Sequence, residues 1–135
     1  MRICHKTMRS LGLVLLMTVA GCAQQIIDPT DPRFDRTSSL FDKYEAYKGK
    51  YPVSSPYACQ WYFQAVLPIG TEKAEVDKIL LAQKGVSVEQ KPPTSVIYHY
   101  AAPHRFIQLV MHINIKYDGA GKVSDLDCIA AYKGP

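Results

Sequence analysis

The chain has 135 residues, with 16 Lys and Arg against 12 Asp and Glu, four histidines, four cysteines and one tryptophan. Arg2, Lys6 and Arg9 stand at its start, so the net charge of +4 falls to +1 once the segment ahead of Cys22 is set aside. Neither a basic stripe nor a run of like charges then remains, which argues against a nucleic-acid partner, and the 114 residues from Cys22 onward suit one small domain with a modest core.

Arg2, Lys6 and Arg9 form a positive n-region, Leu11 to Val19 an apolar h-region, and Ala20-Gly21 the small residues that a signal peptidase needs. An apolar run of about ten residues is too short to cross a ~30 Å hydrocarbon core, which argues against a transmembrane helix. Val19-Ala20-Gly21-Cys22 resembles the lipobox of bacterial lipoproteins. The resemblance implies removal of the signal peptide 1–21, a diacylglycerol on the Cys22 thiol and an N-acyl chain on its new amino group. Ala23, rather than aspartate, follows the anchor, and by resemblance to enterobacterial sorting this implies transfer to the outer membrane. Cys4 and His5 leave with the signal, which leaves Cys59 and Cys128 unassigned. In an oxidising periplasm they form either a Cys59–Cys128 disulfide or two buried, unpaired thiols.

Residues 22–38 read as a tether that lifts the domain 39–135 off the membrane. Asp28-Pro29 and Asp31-Pro32 predict extended backbone there. Ser39-Leu-Phe-Asp42 predicts a helix start with Ser39 as N-cap; Leu40, Phe41, Tyr44 and Tyr47 share a face, and Gly49 ends it. Pro52, Ser54, Ser55 and Pro56 mark a loop. Tyr57 to Leu67 is almost wholly apolar, and periodicity alone does not separate helix from strand. The i, i+4 spacing of Gln60 and Gln64 leans to helix, with Cys59, Tyr62, Phe63 and Val66 inward and Trp61 either in the core or on an aromatic partner surface. A further helix starts at Thr71, carries Glu72 and Glu75 in its first turn and ends at Lys84-Gly85, with Val76, Ile79, Leu80 and Gln83 along one side.

Three strands are expected next. Val96 to Tyr100 alternates with its tyrosines on one face. In Phe106 to Tyr117, Ile107, Leu109, Met111, Ile113, Ile115 and Tyr117 point one way, and Gln108, His112, Asn114 and Lys116 the other. Asp118-Gly119-Ala120-Gly121 is a hairpin loop, and Lys122 to Ala131 returns with Leu126, Cys128 and Ala130 in phase. The predicted fold is α+β, with N-terminal helical segments packed on a three-stranded antiparallel meander.

The order Leu67-Pro-Ile-Gly-Thr71, Val76, Leu80, Tyr98-x-Tyr100 and Ile113-x-Ile115-x-Tyr117-Asp118-x-x-Gly121-Lys-Val123 resembles the SmpA/OmlA (BamE-like) small outer-membrane lipoproteins over residues 65–130. The family's Gly-Met-Thr is here Gly70-Thr71, without the methionine. The resemblance implies a helical start followed by a three-stranded sheet, as also in β-lactamase-inhibitor-like domains. Lipid anchor, tether and small sheet domain together suggest a non-catalytic lipoprotein on the periplasmic face, acting in outer-membrane protein assembly or envelope integrity. Its expected partners are the membrane and an envelope protein such as the β-barrel assembly machinery. The alternative is a tethered inhibitor of an exported hydrolase.

Residues for chemistry are few. No H-E-x-x-H, G-x-S-x-G or P-loop pattern occurs, so no catalytic residues are assigned and the chain reads as a non-enzyme. His99 and His112 can meet across adjacent strands, the best case for a metal, but polar-face histidines are the commoner outcome and no metal or cofactor beyond the Cys22 lipid is expected. Asp125 and Asp127 alternate on a wet face. By elimination the expected partner surface is the polar face of the long strand and its neighbours: Tyr98 or Tyr100, Gln108, His112 and Asn114.

Overall fold

The computed structural model describes residues 26–50, 57–91, 94–103 and 106–134. Cys22 and the signal segment lie outside the described residues, as does His104. Helices α1 (Leu40–Lys48), α2 (Ala58–Val66) and α3 (Lys73–Leu80) occupy the middle of the chain and precede four strands: β1 (Val86–Lys91), β2 (Ser95–Ala101), β3 (Gln108–Tyr117) and β4 (Val123–Lys133). The strands form one antiparallel sheet in the order β1-β2-β3-β4. The α+β class is as expected. The three-stranded meander is not: β1 adds a fourth strand at the edge, paired from Val86 opposite Tyr100 to Lys91 opposite Ser95. Gly85 precedes it at φ +85, and a Cβ there would run into the Ala101 carbonyl oxygen, so only glycine fits the turn into this strand.

Alternation decides which sheet face is core. Val96, Tyr98 and Tyr100 of β2, Leu109, Met111, Ile113, Ile115 and Tyr117 of β3, and Leu126 and Cys128 of β4 are all buried. Ile107 is a correction: it lies before β3, 57% exposed. The helices cover this face because each presents one apolar stripe. Leu40, Phe41, Tyr44 and Tyr47 of α1 are buried, as are Cys59, Tyr62, Phe63 and Val66 of α2, which resolves the Tyr57–Leu67 stretch as helix. Aromatic rings join the layers. Tyr62 meets Phe34, Tyr44, Tyr47 and Phe63 with centroids 5.0–6.1 Å apart, and Phe41 stacks on Tyr100 at 3.5 Å. The buried Tyr62 hydroxyl donates to the Leu40 carbonyl at 2.7 Å, so it is satisfied where it lies.

Helix ends differ from expectation in instructive ways. Ser39 does precede α1, but at φ +54 and without a side-chain cap. Gln83 replaces it: its Oε1 accepts from the Leu40 N–H at 3.2 Å while its Nε2 donates to the carbonyls of Thr37 and Ile79. Thr71 does not cap α3, since its hydroxyl donates to the Pro68 carbonyl at 2.6 Å, and Glu72 stands at the N-cap position. Residues 26–38, the described part of the stretch before α1, are not extended. Asp28, Asp31 and Asp35 each accept the N–H two residues on, at 2.8–2.9 Å, and these turns fold the chain so that Phe34 and Pro29 are buried and Ile26 packs on the core.

Cys59 and Cys128 are joined by a disulfide, with Cα atoms 5.5 Å apart and 69 positions between them in sequence. It fastens α2 to β4 and is reinforced by Gln64, whose Nε2 donates to the Leu126 carbonyl at 3.2 Å.

Burial pushes the Tyr44 phenol up to about 12 and shifts those of Tyr62, Tyr98 and Tyr117 in the same direction, Tyr98 further through its hydrogen bond to Asp77. Each folded-state value is raised above the ordinary ~10. Their contribution to stability is therefore whole below about pH 10 and is lost as pH rises through the folded values. The urea midpoint is expected to hold up to about pH 10 and to fall steeply above it, with phenolate absorbance and loss of helix signal rising together. Complete phenolate formation at about pH 11 with the helix signal intact would contradict this burial.

Candidate functional site

The candidate site is the sheet face that no helix covers. Strand register assembles it in rows. Ser87, His99, His112 and Ile129 form one row across the four strands, and Glu89, Ile97, Asn114 and Asp127 the next. Lys116 and Asp125 stand opposite each other one row further along. The His99 and His112 rings meet edge to face with centroids 4.6 Å apart, and His99 Nε2 lies 3.0 Å from Glu89 Oε2. The expected cross-strand histidine contact is thus present. Among the described residues, however, no three His, Cys, Asp or Glu side chains are grouped so as to hold a metal ion.

Of the expected partner residues, His112 and Asn114 lie on this face. His112 is exposed, whereas Asn114 is half-buried and keeps its Oδ1 covered and without a hydrogen-bond partner. Gln108 begins β3 on the same side, but its Nε2 donates to the Ala102 carbonyl at 2.9 Å, so it also holds the β2–β3 connection. Tyr98 and Tyr100 are corrections. They point into the core, because the phase that puts His99 outside puts Val96, Tyr98 and Tyr100 inside. Tyr98 is fully buried, with its hydroxyl 2.5 Å from Asp77 Oδ1 and 3.0 Å from the Tyr117 hydroxyl, which anchors α3 to the sheet. The face gains residues that the elimination argument passed over: Ile129, 72% exposed, together with Ile97, His99 and Glu89. Ile129 was readable in the alternation, being out of phase with Leu126, Cys128 and Ala130. Glu89 was not, because β1 itself was missed.

A groove of about 420 Å³ opens elsewhere, between the segment before α1 and the end of α3, lined among others by Thr37, Ser38, Phe41, Gln83 and Tyr100. It contains Asp42 and Lys84 but gathers no set of acids, bases or nucleophiles on one point. No described helix is long and apolar enough to cross a membrane. Neither a family model, nor a curated protein, nor a solved structure matches the chain, so the likeness to the SmpA/OmlA group rests on its residue pattern alone.

Proposed function

We propose that the protein is a lipid-anchored, non-catalytic module of the bacterial envelope, held on the periplasmic face of the outer membrane through Cys22. In this reading it acts in outer-membrane protein assembly or envelope integrity by capturing a protein partner on the open sheet face. The observation that carries the reading is one-sided coverage. The helices pack on one face, while the other keeps Ile129 exposed beside Ile97, His99, His112 and Asn114. Apolar side chains among polar ones on a firm sheet are the makings of an interface core and rim. The disulfide accords with an exported protein, because such bonds persist in oxidising compartments. The β-barrel assembly machinery is the partner that the SmpA/OmlA likeness implies. An exported hydrolase is the partner of the alternative, an inhibitor.

A photo-cross-linking residue placed at His112 or Ile129 of the full chain in its native envelope tests this directly. Both positions are expected to yield the same protein adduct, and His112→Glu is expected to weaken capture from position 129 by about tenfold, or about 1.4 kcal/mol. Folding stability should change by no more than about 0.5 kcal/mol, since the site is on the surface. An adduct with assembly-machinery components fits the first reading and one with a soluble hydrolase the second. Folded protein with no adduct from either position would contradict both.

A further inference from the structure

We propose that one pole of this domain, where α2 begins and β4 ends, rests directly on the lipid surface that holds Cys22. The inference rests on the lipid-anchor reading of Cys22 and adds to it an orientation. Its first ground is reach. Ile26 packs on the core and Pro29 is buried, so only Ala23, Gln24 and Gln25 separate the anchor from the folded domain. Four Cα-to-Cα steps span about 15 Å at full extension, about half the breadth of a domain of this size. The short link does not hold the domain clear of the headgroups.

The second ground is where the chain enters. The entry segment lies against α2, where the Phe34 ring meets that of Tyr62 at 6.1 Å, and Tyr62 in turn meets Tyr47 at 5.3 Å near the end of α1. At that same end Lys48 Nζ donates to the Tyr132 hydroxyl at 2.6 Å and lies 4.1 Å from the centroid of its ring. The Cys59–Cys128 bond and the Gln64 bond to Leu126 set α2 antiparallel to β4, so the start of α2 with Tyr57 faces the end where Tyr132 lies, and the Trp61 ring stacks on Tyr57 with centroids 5.9 Å apart. Gln108 pairs with Lys133, which puts Phe106 and Ile107, just before β3, at this pole too.

The third ground is composition. Of the nine large apolar side chains exposed among the described residues, five gather here: Tyr57, Trp61, Phe106, Ile107 and Tyr132. The opposite pole, made by the Asp118–Lys122 hairpin and the start of α3, carries Ile69 alone among them. Tyrosine and tryptophan rings with lysines beside them match the chemistry of a membrane–water interface, where the rings lie at headgroup level and the ammonium groups reach the phosphates. In this orientation the strands run toward the membrane and the open sheet face stands side-on to it.

Trp61 is the chain's single tryptophan and serves as the probe. The lipidated chain is placed in protein-free vesicles of phosphatidylethanolamine and phosphatidylglycerol, with and without bromine on the acyl chains, and its intact mass is read in parallel. Side chains seated about 5–10 Å into the headgroup boundary bring Trp61 within range of bromine, so its emission is expected to fall by about twofold and shift to the blue. Phe106→Asp with Ile107→Asp, at sites 80% and 57% exposed, is expected to reduce that quenching without unfolding the domain. Acylated protein whose Trp61 emission ignores the brominated lipid would overturn the orientation and leave the anchor standing. A mass without acyl chains would overturn both.

Discussion

Reducing the Cys59–Cys128 disulfide, or replacing both cysteines by serine, is expected to lower the free energy of unfolding by about 4 kcal/mol. The bond closes a loop of about 70 residues that contains α3 and most of the sheet, and in the chain-entropy model a loop that long removes much of the freedom of the unfolded chain. A domain of this size is stable by about 5–15 kcal/mol, so the loss takes a large share of the whole. Both sulfurs are buried between α2 and β4, and serine hydroxyls left there add a desolvation cost where they find no partner. The urea midpoint with and without reductant reads the effect. A midpoint unchanged by reductant, with two thiols titrated under denaturing conditions before any reductant is added, would show the bond absent in solution.

Replacing Cys22, the residue proposed to carry the lipid, is expected to have the larger cellular effect. Each buried methylene of an acyl chain contributes about 0.8 kcal/mol to membrane binding, and two or more chains convert marginal attachment into stable residence. Cys22→Ser is therefore expected to abolish acylation and leave either soluble chain or uncleaved precursor that keeps residues 1–21. In the proposed orientation the aromatic pole would not substitute for the lipid, because a few rings at the interface bury far less apolar area than acyl chains do. Persistence in the membrane fraction, after a carbonate wash, of variant that lacks residues 1–21 would contradict anchoring at this residue.

Much of the fold was legible because its signals are local. The stripe Leu40, Phe41, Tyr44 and Tyr47 and the ten-residue alternation of β3 each declare a buried face, and the structure buries both. β1 gave no such signal. Val86 and Val88 are its only apolar residues, and it is held by pairing with β2 rather than by a buried face of its own. The prolines after Asp28 and Asp31 suggested an extended tether, yet the aspartates turn the chain and Phe34 finds Tyr62, a contact across 28 positions that no local pattern reveals. The same limit hid the cap of α1, which Gln83 supplies from 43 residues away.

At the candidate site, alternation sorted the faces of β3 correctly and so placed His112 and Asn114 outside. It failed for Tyr98 and Tyr100 because a phenol suits either a wet face or a core that offers its hydroxyl a partner. Val96, in phase with them, was the available clue, and Asp77 of α3 is the partner that lets Tyr98 stay inside. The histidine pair was legible as a possibility of register. Ile129 was legible too, out of phase with Leu126, Cys128 and Ala130, and it lies on the bare outer face of β4 beside His112.

The intact mass of the protein extracted from its native membrane decides whether it is a lipid-anchored and disulfide-locked envelope domain. The expectation is a chain that begins at Cys22, lacks residues 1–21, carries two or three acyl chains and gains the mass of two hydrogen atoms on reduction of Cys59–Cys128. A full-length chain that begins at Met1 and bears no lipid would contradict it.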